Sequence, residues 1–170
     1  LGVPIYTELR DRYANESNGK LRVWQASHFG GHRFAPNLLD MPEGRNWIRL
    51  GVDHLNTLIN HDRPVTELRK CYRGWVGLDN PYKQVLEREV FMRIGWAWTG
   101  LLVSAQITKV EDELQRTQVR IDFTDQRGNT SGSYEAVVEQ SHVAKRVDCL
   151  SGENVDDVPQ YSVSRLVRVR

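Results

Sequence analysis

Apolar residues recur at helical spacing early in the chain and at strand spacing towards its end. From Pro4 to Ala14, Ile5, Leu9 and Tyr13 fall at i, i+4 and i+8. Pro4 stands in the first turn, where a missing N–H costs nothing, so the segment predicts an amphipathic helix. Asn15 to Lys20, with Gly19, is a polar turn. Leu21 to Ala26 predicts a strand. Ala35 to Met41 and Asn46 to Val52 predict two more, forming a hairpin around Pro42-Glu43-Gly44-Arg45. Asp53 is placed to N-cap a helix from His54 to Asn60 that turns Leu55, Leu58 and Ile59 inward. Asp62-Arg63-Pro64 ends that segment, and Val65 to Lys70 predicts a short helix. In Cys71 to Leu78, Tyr72 and Trp75 are read as core aromatics.

Asp79-Asn80-Pro81 opens a long helix that runs to about Gly95. Glu87, Arg88 and Glu89 are assigned to its solvated face. Gly95-Trp96-Ala97-Trp98-Thr99-Gly100 marks a break, after which the pattern changes. Leu101 to Val110, Gln115 to Thr124, Ser133 to Gln140, Val143 to Leu150 and Gln160 to Arg168 are rich in Val, Ile, Thr and Tyr, and several alternate. They predict a mainly antiparallel β region. Ser151 to Pro159 reads as an acidic loop, and Arg165, Arg168 and Arg170 as one basic face of the last strand.

Composition narrows the function classes. The 170 residues carry a net charge of +1, so no global field points to nucleic acid or a membrane surface. No apolar run reaches the length of a membrane-spanning helix. Cys71 and Cys149 are the only cysteines. Two distant cysteines make no disulfide framework and are read as buried thiols in a reducing, cytoplasmic setting.

The stretch with chemistry in it is Val23-Trp24-Gln25-Ala26-Ser27-His28-Phe29-Gly30-Gly31-His32-Arg33-Phe34-Ala35-Pro36. His28 and His32 stand four apart, but Gly30 and Gly31 between them oppose a helix. A tight loop at a strand end would turn both rings towards one centre. The glycines would let backbone N–H groups approach a bound anionic group. Histidine is the commonest metal ligand, yet two are half a site, and on spacing alone ordinary loop histidines remain the simpler reading. The helical His-Glu-x-x-His zinc motif is not present, because Phe29 stands at the glutamate position.

The flanking residues add more. The block Ser27-His28-Phe29-Gly30-Gly31-His32-Arg33-Phe34-Ala35 resembles the signature of the sucrase/ferredoxin-like family, the thioredoxin-like [2Fe–2S] proteins. Gly2-Val3-Pro4-Ile5-Tyr6 with Leu9, Glu43-Gly44-Arg45-Asn46-Trp47-Ile48-Arg49-Leu50 and Tyr72-Arg73-Gly74 are similar to three further family segments. The good match runs from Leu1 to about Leu78. The resemblance implies an α+β protein. Residues 1–100 would be the later part of a thioredoxin-like ferredoxin domain with a helical extension, and residues 101–170 a β-rich region. It also implies a [2Fe–2S] cluster with His28 and His32 as metal ligands and Gly30, Gly31 and Arg33 beside it. In the family the two cysteine ligands lie just upstream of the Gly-x-Pro-x-Tyr segment. The expectation is therefore that they come from before Leu1, and that these 170 residues alone bring two ligands.

The leading expectation is an electron carrier with a redox partner protein and no nucleic-acid partner. An enzyme is second, and a glycosidase is discounted because no carboxylate pair stands out from the surface charge. Two alternatives are kept: a cluster-free binding or structural module, and a zinc-binding domain using His28, His32 and Cys71.

Overall fold

The computed structural model describes residues 2–27, 34–111, 116–129, 131–147 and 154–169. The chain divides into two compact units, Leu1–Arg73 and Gly74–Arg170. The long helix that follows Asn80 goes with the later unit. The class is α+β, with one three-stranded and one four-stranded sheet.

The first unit opens with α1 (Val3–Glu8), whose last turns widen into a π-helix, Leu9–Ala14. The expected stripe is the buried one: Ile5, Leu9 and Tyr13 all lie in the core. Leu21 to Ala26 is not a strand. A strand is defined by a hydrogen-bonded neighbour, and among the described residues this segment has none. The hairpin is present in shorter form. β1 (Asn37–Asp40) pairs antiparallel with β2 (Arg45–Ile48), Asn37 facing Ile48 and Asp40 facing Arg45. Gly44 closes the turn at φ 73°, and its N–H donates to the Asp40 carbonyl at 2.8 Å.

The next helix begins differently from the expectation. Asp53 is not its cap; its carboxylate is 82% exposed. Instead a 3-10 turn, Val52–His54, precedes α2 (Leu55–Asn60), and the Gly51 N–H donates to His54 Nδ1 at 2.8 Å. The helical run thus starts earlier than expected, with Gly51 as the capping residue, and the His54 imidazole at the third position reaches back to the Gly51 N–H. Leu55 and Leu58 are buried, and Ile59 is half-buried. A 3-10 turn, Val65–Leu68, leads to β3 (Tyr72–Trp75), which lies beside β2.

In the second unit, Asn80 caps α3 (Pro81–Ile94) by accepting from the Tyr82 N–H at 2.8 Å. Leu86, Val90 and Phe91 are fully buried. So is Glu87, which corrects its assignment to the solvated face. It falls on the same helical stripe as Val90 and Phe91, and its Oε1 accepts from the indole N–H of buried Trp98 at 2.9 Å. Four antiparallel strands follow in sheet order: β4 (Leu102–Glu111), β5 (Arg116–Thr124), β6 (Ser131–Val147) and β7 (Asn154–Arg168). On β5 alternate residues Thr117, Val119, Ile121 and Phe123 are buried. They meet Tyr134, Ala136 and Val138 of β6, and Phe123 lies 5.5 Å from Trp98 and 6.0 Å from Tyr134 between ring centroids.

The β region is therefore as expected in kind but longer-stranded. What reads as two strands on either side of Ser141 is one. A register shift between Gln140 and His142 accommodates the extra residue, and the Ser141 hydroxyl donates to the Gln160 carbonyl at 3.1 Å. The acidic stretch from Asn154 to Pro159 is the start of β7, where Asp157 faces Lys145 across the ladder. Arg165 and Arg168 face Val137 and Tyr134, so their odd spacing puts them on opposite faces of the sheet, not on one. Among the described residues, the ladder with β5 reaches along β6 as far as Glu139, opposite Arg116, while the ladder with β7 continues to Val147.

Candidate functional site

The residues expected to bind the cluster, His28, Gly30, Gly31, His32 and Arg33, lie outside the described residues. Their immediate surroundings are described. The chain enters through Leu21 to Ala26, irregular and carrying Trp24 at 77% exposure. It leaves through Phe34, whose carbonyl accepts from the Arg49 N–H at 3.0 Å; the same N–H also donates to the Pro36 carbonyl at 2.8 Å. Arg49 sits at φ 50°, just past the end of β2. That left-handed turn, sparsely populated for a residue with a Cβ, aims its amide at the loop exit and returns its side chain over the Phe34 ring. The Arg49 guanidinium carbon is 5.3 Å from the ring centroid, and that of Arg73, on β3, is 4.8 Å from it.

Behind this rim the packing is dense. Buried Arg45 donates through Nη1 to the Tyr72 hydroxyl at 2.8 Å, and the Tyr72 ring lies 4.8 Å from that of fully buried Trp47. The Ile48 N–H donates to the Cys71 carbonyl at 2.8 Å. The segments quoted above for the family resemblance are thus neighbours in space. The loop exit (Phe34), the hairpin (Arg45, Trp47, Arg49) and the Tyr72-Arg73 pair form one cluster, and Ile5 and Leu9 of the first segment lie in the core of the same unit.

Cys71 lies in this core. Its thiol faces the Arg49 carbonyl at 3.8 Å and His54 Nδ1 at 4.0 Å. Burial, helped by the charge of Asp53, pushes the thiol pKa up, away from the thiolate a metal requires. Among the described residues no group of three His, Cys, Asp or Glu side chains is arranged to hold a metal ion.

Sequence reasoning named the histidine block but passed over Arg49 and Arg73 as partners of Phe34. Each stands inside a recognisable segment. What was missing was any local signal that three segments meet on one ring.

The comparisons with known proteins bear on the same unit. Residues 1–74 match the family described as sucrase/ferredoxin-like. That stretch coincides with the first compact unit, which ends at Arg73. No curated protein and no solved structure matches the chain. No helix among the described residues is long and apolar enough to cross a membrane.

Proposed function

We propose that the protein is an iron–sulfur protein of the sucrase/ferredoxin-like type that transfers electrons. In this reading His28 and His32 are ligands of a [2Fe–2S] cluster, and two cysteines from upstream of Leu1 complete the set. The supporting observation is the convergence of the family segments on the exit of the histidine loop, within the part of the chain that matches the family. The thioredoxin-like character of this domain belongs to the same proposal.

Such a cluster supplies one-electron chemistry, at a higher potential than an all-cysteine centre because neutral imidazole replaces anionic thiolate. The remaining steps fall to the chain. Gly30 and Gly31 leave room for backbone N–H groups to face anionic sulfur. As ligands, His28 and His32 would each leave one ring nitrogen that could carry a proton, which would couple proton uptake to reduction. Arg33 adds positive charge beside His32.

The test combines intact mass and visible absorption of the purified protein. The 170-residue chain is expected to be colourless, and a version extended upstream coloured. In the extended version His28→Ala or His32→Ala should weaken cluster retention, and His→Cys at either position should keep the cluster at a lower potential. An unchanged spectrum and potential in both alanine variants would overturn the ligand assignment.

A further inference from the structure

The second unit has an open recess of about 140 Å³ between the first turn of α3 and the facing ends of β4 and β5, where Val110 pairs with Thr117. Thr117 lies deepest in it. Its side chain shares the buried face of β5 with Val119, Ile121 and Phe123 and is only 2% exposed, yet its hydroxyl has no hydrogen-bond partner among the described residues. An unpartnered hydroxyl costs free energy in a core, and a valine would hold the same strand position without that cost. The hydroxyl is of use only to something that enters the recess. Tyr82 of α3 and Tyr161 of β7 line it with ring centroids 4.6 Å apart, tilted by 56°. The Tyr161 hydroxyl is hydrogen-bonded to Tyr82, which pushes its pKa up and keeps it protonated at neutral pH. Half-buried Gln140, opposite Tyr161 on β6, adds a carboxamide that likewise has no partner among the described residues. The charged groups at the rim are already matched: Glu111 pairs with Lys109, and Arg116 Nε lies 2.7 Å from Glu139.

We propose that this recess binds an uncharged, single-ring heteroaromatic compound with amide-type edges, of the size and kind of a pyrimidine base. Volume sets the size, since a cavity of about 150 Å³ takes one benzene ring. The tyrosines set the shape, because a flat ring stacks on an aromatic face. Thr117 and Gln140 set the edge chemistry: a hydroxyl and a carboxamide each donate and accept, and a lactam edge does both in return. The matched rim sets the charge, because an ionic ligand would have to displace Lys109 or Glu139 from its partner. All of these residues lie outside the family match, so the site stands apart from the iron–sulfur reading.

The experiment follows backbone amide shifts of the isotope-labelled protein as uracil is added. The expected result is saturable shifts around Tyr82, Thr117, Gln140 and Tyr161 with a Kd of about 1 mM. Dihydrouracil keeps the amide groups but not the flat aromatic ring, and orotate adds a carboxylate; each should bind about tenfold more weakly. Thr117→Val should weaken uracil binding about tenfold and at the same time raise the thermal midpoint, because an unpartnered hydroxyl leaves the core. Tyr161→Leu should abolish saturation, and Arg165→Gln, away from the recess, should leave it unchanged. If Tyr161→Leu unfolds, Thr117→Val and the two congeners still decide. Shifts that stay linear up to the solubility of uracil overturn the proposal. So does tighter binding of orotate or of methyl glucoside at the same residues, and so does uracil binding that Thr117→Val leaves unchanged.

Discussion

Buried polar side chains in this protein are tied to aromatic ones, and the ties set measurable costs. The Tyr72 hydroxyl accepts from a guanidinium that is almost wholly buried. Tyr72→Phe keeps the ring against Trp47 and removes that acceptor, so about 2 kcal/mol of stability should be lost in urea unfolding. Glu87→Leu strips the Trp98 indole of its acceptor inside the core and should cost about 1–3 kcal/mol, while Glu87→Gln, which still offers an oxygen, should cost less. Asp40 gives a pH signature. Burial, then the nearby charge of Glu43, raises its pKa, with Arg45 opposing. The folded state therefore binds this proton more tightly than the unfolded state. Stability from this group is present at low pH and is lost as pH rises through the raised folded-state value. Asp40→Asn should raise the thermal midpoint at neutral pH and flatten that part of the stability profile. At this scale the sequence made the apolar stripe of Ile5, Leu9 and Tyr13 legible, because spacing alone defines it. It did not reveal Glu87, whose burial depends on an indole eleven residues away.

Elements were legible where their boundary chemistry is local. Asn80-Pro81 marks a helix start by a side-chain acceptor and a ring that needs no hydrogen bond, and α3 begins there. Asn80→Ala should cost about 1 kcal/mol in thermal unfolding, and Asn80→Asp or Asn80→Ser much less. The hairpin of β1 and β2 was equally legible from its glycine. Two elements were not. Leu21 to Ala26 has strand composition, but composition supplies no partner ladder. Asp53 has cap chemistry, but the helical run already starts at Gly51, which has no side chain to announce it, and His54 Nδ1 reaches back to the Gly51 amide. The acidic start of β7 was hidden similarly: isolated carboxylates read as loop until Lys145 is seen across the ladder from Asp157.

Across the molecule, each unit has its own core and its own kind of information. The first matches a family and carries the histidine block, which the sequence declared outright through two glycines and two imidazoles. The meeting of Arg49 and Arg73 on the Phe34 ring was not legible, because three segments far apart in sequence assemble it. The second unit gave away its antiparallel strands by alternation, but not their lengths, since a register shift at Ser141 disguises one strand as two. That shift lies close to where β5 stops pairing, and this arrangement has a consequence for amide exchange. Up to Glu139 the amides of β6 alternate between two neighbouring strands; beyond it, among the described residues, every second one has no ladder to donate to. A two-stranded ribbon is marginal in water. Deuterium uptake followed by mass spectrometry should therefore show a step within a single strand: slow labelling from Tyr134 to Val138, and rapid labelling from His142 onward together with Val155 to Val158 opposite. The outer half of that ribbon opens and closes many times for each global unfolding event, and the boundary between the two regimes lies at one serine.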